Sequence, residues 1–217
     1  EPLGYMLENR MLRQALRDVA VNSTGIRLHM PDRAISVERN ESGVHVTLAS
    51  GAKLRGQLLL ACEGRKSPTR EAAGIRVAKW GYDHVAIISA FNHTKDHRNI
   101  AHEIFYSAGP FALLPLNPGT RSALVWTVSP READGVLALS ERAFLAEVTK
   151  RAGGLLGEIS LAAPRSSYPL DFHHATRITA QRLALVGDAA HGSHPIAGQG
   201  LNLGFRDVAA LVEVLVD

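Results

Sequence analysis

The stretch RLALVGDAAHGSHPIAGQGLNLGFRDVAALVEVLV, Arg182 to Val216, decides how the rest of the chain is read. It opens with a four-residue apolar run, Leu183 to Val186, stopped by Gly187-Asp188, which reads as a short buried strand. From Leu201 the apolar residues Leu201, Phe205, Val208, Val212 and Leu215 recur at helical spacing and share one face of a helix. Between strand and helix, Gly187, Gly192, Gly198 and Gly200 with Pro195 let the backbone approach a partner closely. The turn Ala197 to Leu201 opens the helix, so its unpaired N–H groups and partial positive charge suit a phosphate or a flat ring that becomes negative. Asp188 sits at the carboxyl end of the strand, where open α/β sheets bind ligands, and its carboxylate can accept hydrogen bonds from sugar-like hydroxyls. The alternative is a tight strand-to-helix turn with a solvated Asp; four glycines in one run favour the ligand site.

Composition narrows the class. At 217 residues with 46% apolar residues, the chain is one large domain or two small ones with a sizeable core. The 24 Lys and Arg against 21 Asp and Glu leave a net charge of +3, too weak to imply a nucleic-acid partner. A single cysteine, Cys62, excludes an internal disulfide and fits a reducing compartment. No run approaches the roughly 18 apolar residues of a spanning helix, and the first residues do not read as a signal peptide.

The segment GDAAHGSHPIAGQGLNLGFRDVAAL, Gly187 to Leu211, resembles the second FAD-binding motif of the para-hydroxybenzoate-hydroxylase-like flavin monooxygenases. Its HPIAGQGLNLGFRD wording is most similar to the ubiquinone-biosynthesis hydroxylase branch. The resemblance implies that Asp188 holds the ribityl chain of FAD, with Gly187 beside it in the cofactor site. It also implies that Pro195, Gly198, Gln199, Gly200, Leu201 and Asn202 lie along the isoalloxazine, with His194 and Pro195 facing it as catalytic candidates. The turn at the helix start would then support charge on the reduced ring. A second segment, ACEGRKSPTR from Ala61 to Arg70, is similar to the family's middle motif beside the FAD pyrophosphate, which is also linked to pyridine-nucleotide use. Gly64, Ser67 and Arg70 match it, whereas Glu63 stands where the family has Asp. The same residues also read as a helix start, with Ser67 as cap and Pro68 at the first position. A third segment, LGYMLENRMLRQAL from Leu3 to Leu16, is similar to the part that contributes a polar side chain near the flavin. Asn9 and Arg10 are its candidates, and a solvated helix start is the alternative.

The organisation follows from periodicity. Leu7 to Val21 is helical, with Leu7, Met11, Leu12, Ala15, Leu16 and Val19 on one side. Ile26 to Leu28, Ala34 to Glu38 and Val44 to Leu48 read as strands of a small meander, and Gln57 to Cys62 as a buried strand returning to a central sheet. Val85 to Ala90, His102 to Tyr106, Phe111 to Leu116 and Ser122 to Val128 predict four antiparallel strands. Of these, HEIFYSAGPFALLPL resembles the family segment that backs onto the substrate cavity. Ala133 to Leu156 reads as helical with Phe144, Val148 and Leu155 inward, and Ser140 as an N-cap with Glu141 in the first turn. Ile159 to Ala163 and Arg165 to Leu170 follow as strands. The expected fold class is a mixed α/β (α+β) chain: part of a Rossmann-like FAD-binding domain with an inserted antiparallel-sheet substrate domain. The domains implied are 1–78 and 171–217 for FAD and 79–170 for substrate. The chain begins at Glu1, and no strand-GxGxxG-helix unit precedes the first helix. The family layout therefore implies a portion of a longer protein lacking roughly its first hundred residues.

The function implied by the resemblance is an FAD-dependent monooxygenase. It takes electrons from NAD(P)H and an oxygen atom from dioxygen to hydroxylate the ring of a polyprenylated phenol in ubiquinone biosynthesis. The protein's part is positioning, water exclusion and electrostatic support. A cytoplasmic location, with peripheral association at the inner membrane face or in a biosynthetic complex, goes with that substrate. The alternatives are another flavoprotein on the same scaffold, such as a reductase or halogenase, and a non-catalytic or truncated remnant of the FAD-binding fold. A metal site is not expected: His191 and His194 lie in a Gly/Pro loop without a third ligand nearby in sequence, and His93, Asp96 and His97 lie in a charged turn.

Overall fold

A computed structural model describes residues 4–216. The chain divides into two compact units, Glu1–Ser23 with Tyr82–Leu170 and Thr24–Gly81 with Asp171–Asp217. Two long strands, β5 (Val77–His93) and β9 (Ile159–Ala175), run through both.

In the first unit, β5 beyond Tyr82 is joined by β6 (His102–Tyr106), β7 (Gly109–Leu116) and β8 (Arg121–Val128) in the order β9-β5-β8-β7-β6. The four expected antiparallel strands are present, with β9 as a fifth. Pro164 splits β9 in the sequence reading, and Pro169 lies within its second part. In the structure β12 (His191–Gly192) pairs with it only at His173 and His174, so both prolines lie on an edge where no donor is required. One face of the sheet is covered by α3 (Pro130–Ala138) and α4 (Glu141–Ala152), which pack Phe144, Val148 and Ala152 onto Ile87, Phe91, Phe111, Leu124 and Trp126. The helical stretch expected over 133–156 is two helices, the second starting at the expected cap Ser140. Ser129 opens α3 by donating from its N–H and hydroxyl to Glu132, and Ser140 restarts the chain by accepting from the Ala143 N–H. Gly153, at φ +58°, ends α4, so Leu155 is exposed rather than inward and Leu156 takes the core position. Helix α1 (Asn9–Asn22) belongs to this unit, and its side with Met11, Leu16 and Val19 is exposed.

In the second unit, β1 (Ala34–Asn40), β2 (Gly43–Leu48) and β3 (Lys53–Gly56) form the meander. The expected strand at Ile26–Leu28 is absent: the segment lies between the Gly25 turn and Pro31, which cannot donate to a ladder, and it has no partner strand. Chain returns follow through β4 (Leu59–Ala61) and α2 (Pro68–Ala72). The strand β11 (Leu183–Leu185) is fully buried, pairs in parallel with β4 and in antiparallel with β10 (Thr179–Ala180). A satellite core of Ala61, Ile75, Ala175, Leu183, Leu185, Ala189 and Ala190 fastens these pieces together.

The last helix, α5 (Gln199–Val216), corrects one sequence reading. Its expected inner face, Leu201, Phe205, Val208, Val212 and Leu215, is exposed. The partly buried positions are instead Gly200, Leu203, Gly204, Asp207 and Leu211, again at helical spacing. Apolar side chains run nearly all round α5, so periodicity alone cannot choose the face. The choice is made by Gly204, whose missing Cβ would lie 3.5 Å from the Gly187 Cα, and by Asp207, which bonds to the turn after β11.

Candidate functional site

The site grows out of the end of β11. The Val186 N–H donates to the Ala61 carbonyl at 3.0 Å, which sets the start of the following turn beside the end of β4. Gly187 then takes φ +60°, a left-handed conformation that glycine adopts without penalty, and begins a 3-10 turn through Ala189. Its N–H donates to Asp207 Oδ2 at 2.7 Å, and the same oxygen accepts from His191 Nε2 at 2.8 Å. Asp207 thus ties α5 to both ends of the Gly187–His191 segment. A second 3-10 turn, Pro195–Ala197, follows His194, whose Nδ1 accepts from the Ile196 N–H at 3.1 Å. Gly198, at φ +59°, swings the chain into α5. A Cβ on Gly198 or Gly200 would meet nothing within 4 Å, so the start of α5 faces open space. Its first-turn N–H groups have no carbonyl partner within the helix. Gln199 donates to the Ala197 carbonyl at 3.1 Å and Asn202 to that of Gly198 at 3.5 Å.

The 63–70 segment meets this turn from the other side. Ser67 caps α2 by accepting from the Arg70 N–H at 3.1 Å, with Pro68 at the first helical position. Glu63 folds back over that start and accepts from the hydroxyls of Ser67 and Thr69 and from the Thr69 N–H. The carboxylate thus lies at the helix N-terminus, where a negative charge is stabilised. Gly64 makes the bend at φ +83°. Arg70 is buried, 5% exposed, and its guanidinium donates to the Ala189 carbonyl at 3.0 Å and the Arg65 carbonyl at 2.8 Å. It locks the two glycine turns together rather than presenting its charge to solvent.

Sequence reasoning passed over a charged chain beside Asp188. Arg65 Nε donates to Asp188 Oδ2 at 3.3 Å, and Arg65 Nη1 to the carboxylate of Asp171. The other Asp171 oxygen pairs with Lys79 Nζ at 3.0 Å. Burial pushes the Asp171 carboxyl up, but the Lys79 hydrogen bond and the charges of Arg65, Lys79 and His173 outweigh it and hold the group below its ordinary value. His173, left without a role in the sequence reading, is buried. Its Nε2 bonds to the Asp188 carbonyl at 2.8 Å, so that nitrogen carries the proton. Gly192 completes the arrangement: a Cβ there would lie 2.5 Å from the His173 ring and 2.8 Å from the Arg65 guanidinium carbon. No local pattern announces this set, because Arg65 and Asp171 are 106 positions apart.

The structure therefore gathers Glu63, Gly64, Ser67, Arg70, Gly187 and Asp188 around one junction, with Pro195, Gly198, Gln199, Gly200, Leu201 and Asn202 on the turn into α5. Asn9 and Arg10 begin α1 of the first unit, where Arg10 donates to Glu8 at 2.9 Å. In that unit, strand register sets Glu103, Ala112, Val125 and Ile88 in one row across four strands, on the face opposite the helix-covered core. Partial burial pushes the Glu103 carboxyl up. The histidines of the 93–97 turn serve the fold: His93 sits between the Lys95 carbonyl and the Ser122 hydroxyl, and His97 bonds the Leu116 carbonyl. Among the described residues no group of three metal-ligating side chains converges.

Comparison with known proteins gives a consistent result. Residues 4–217 match a family described as FAD binding domain. The chain is 46% identical over 215 residues to ubiquinone hydroxylase UbiL of Rhodospirillum rubrum, covering 99% of this chain and 50% of that protein. It is 36% identical over 215 residues to 3-demethoxyubiquinol 3-hydroxylase of Escherichia coli, covering 99% and 54%. It thus spans about half the length of these curated relatives. Among solved structures, PqsL of Pseudomonas aeruginosa, titled a probable FAD-dependent monooxygenase, superposes with a TM-score of 0.82 at 23% identity, over 94% of this chain and 58% of that one, a likeness of fold.

Proposed function

The chain belongs to the FAD-binding-domain family, and from that premise we propose that it forms the flavin-ring and substrate portion of a monooxygenase hydroxylating a polyprenylated phenol in ubiquinone biosynthesis. The observation that carries the reading is the junction of two glycine turns at Asp188 and the start of α5.

The residues present fit the isoalloxazine and ribityl parts of FAD. The turn at Gly198–Leu201 opens onto unobstructed space and offers helix N-terminal N–H groups, the donor type suited to the electron-rich edge of a reduced ring. Asp188 presents a half-exposed carboxylate, an acceptor for ribityl hydroxyls. Ser193 Oγ is buried in the same loop with no hydrogen-bond partner among the described residues, a polar atom that a ligand or water would satisfy. When bound, FAD would supply the electron storage and oxygen activation that no side chain can provide. The chain's own part is to hold the ring edge at α5, fix the ribityl chain at Asp188 and keep both turns rigid through Arg70 and Asp207. Ala112, Val125 and Ile88 of that row are proposed as substrate wall, since small and apolar side chains accept a prenylated ring and exclude water, with the Glu103 carboxyl at the end of the row.

NAD(P)H and dioxygen complete the proposed reaction. Among the described residues no helix is long and apolar enough to cross a membrane. Peripheral attachment or membership of a biosynthetic complex is proposed as the way the protein meets a membrane-dissolved phenol. The test uses the protein expressed from its full coding sequence. NAD(P)H consumption should be stimulated by a prenylated phenol and yield the hydroxylated ring. Consumption without hydroxylated product would point to a reductase, and a halogenated product to a halogenase.

A further inference from the structure

We propose that Arg65 is a positioning residue for flavin binding: anchored by Asp171 and Lys79, it holds the Asp188 carboxylate in the orientation that receives the ribityl hydroxyls. The proposal rests on the flavin reading above and adds to it Arg65, which the motif matching gave no role, and Asp171 and Lys79, which neither motif contains.

The argument starts from what a lone carboxylate would do. The Asp188 side chain is 45% exposed, and a free carboxylate there would sample several rotamers, each binding event then costing the entropy of fixing one. Two contacts remove that freedom. Its carbonyl accepts from His173 Nε2, which fixes the backbone, and its Oδ2 accepts from Arg65 Nε, which fixes the side chain. Among the described residues no group bonds to Oδ1, which is left for a ligand. Arg65 needs its own anchor, because an exposed ion pair in isolation contributes little. Its planar fork supplies one: Nε faces Asp188 while Nη1 reaches both the carboxylate and the carbonyl of Asp171. The second Asp171 oxygen is taken by Lys79, so charges alternate along Lys79, Asp171, Arg65 and Asp188. Gly192 provides the room, since any Cβ there would strike the Arg65 guanidinium.

The test is a double-mutant cycle in the protein expressed from its full coding sequence, read as FAD affinity by fluorescence titration and, separately, as the denaturant midpoint without FAD. Arg65→Gln should raise the FAD dissociation constant by about tenfold, the effect of losing one orienting contact. The midpoint should stay close to that of the wild type, and Arg65→Lys should recover part of the loss. In an Asp188→Asn background, which keeps one acceptor oxygen, Arg65→Gln should add nothing further. Three results overturn the proposal: no change in affinity on Arg65→Gln, tighter binding, which would make Arg65 a competitor for Asp188, or an undiminished loss in the Asp188→Asn background, which would make Arg65 an independent contact. Failure of the wild-type protein to bind FAD would instead overturn the flavin reading, and this proposal with it.

Discussion

Removing the Asp207 carboxylate should loosen the turn that carries Asp188. Asp207 Oδ2 accepts from the Gly187 N–H at 2.7 Å and from His191 Nε2 at 2.8 Å, with the Asp207 and His191 side chains 27% and 18% exposed. A hydrogen bond to a charged group contributes about 1.5–3 kcal/mol when well shielded. Partial exposure brings each of these nearer to about 1 kcal/mol. Asp207→Ala removes both and strands the Gly187 N–H under α5, so the expected cost is about 2–3 kcal/mol. Asp207→Asn keeps one acceptor oxygen and should cost about 1 kcal/mol. For a chain of this size, that translates to a melting-temperature drop of roughly 4–12 °C for the alanine variant. Denaturant titration measures the stability, and amide hydrogen exchange at Gly187, Ala189 and Ala190 locates the effect. A loss below about 0.5 kcal/mol, the level of an ordinary surface substitution, would refute the assignment of Asp207 as the tie between α5 and the turn. So would exchange that accelerates only in distant segments.

Three further outcomes follow from the same geometry. Gly192→Ala places a methyl 2.5 Å from the His173 ring and should cost about 1–3 kcal/mol in denaturant unfolding; an unchanged midpoint would contradict the packing. Arg70→Met leaves the Ala189 and Arg65 carbonyls without their buried donor and should cost about 2–4 kcal/mol, whereas a surface-like loss would mean the guanidinium is not the lock between the turns. Asp171 has its pKa held down despite desolvation by burial, through the Lys79 hydrogen bond and the charges of Arg65, Lys79 and His173. Its folded value is below its unfolded one, so its stabilisation is present above the ordinary carboxylate range and is lost as pH falls through the lowered value. In Lys79→Met that acid loss should be smaller and should be complete at a higher pH, followed by denaturant midpoints between about pH 5 and pH 2; superimposable profiles would contradict the pairing.

What the sequence revealed and what it hid have physical causes. Leu183–Leu185 was legible because a short apolar run between a polar flank and Gly187-Asp188 has few other readings, and Ser67-Pro68 and Ser140 because caps are local chemistry. The two glycine motifs were legible through their wording. The packed face of α5 was not, because Leu201, Phe205 and Val208 look as suitable as Leu203 and Leu211, and only contact with Gly187 decides between them. The pairs Arg65–Asp171 and His191–Asp207 were hidden because each joins segments that only the folded strands β9 and β11 and helix α5 bring together. The break at Leu139 was legible only through Ser140, because apolar spacing continues through it.

The central claim is that the start of α5 and Asp188 receive the flavin. A structure of the protein expressed from its full coding sequence, determined with FAD, tests it most directly. The expected result is the pyrimidine edge of the isoalloxazine about 3 Å from the N–H groups that begin α5, with ribityl hydroxyls donating to Asp188. A ring bound with that edge away from Gly198–Asn202, or a ribityl chain out of reach of Asp188, would contradict it.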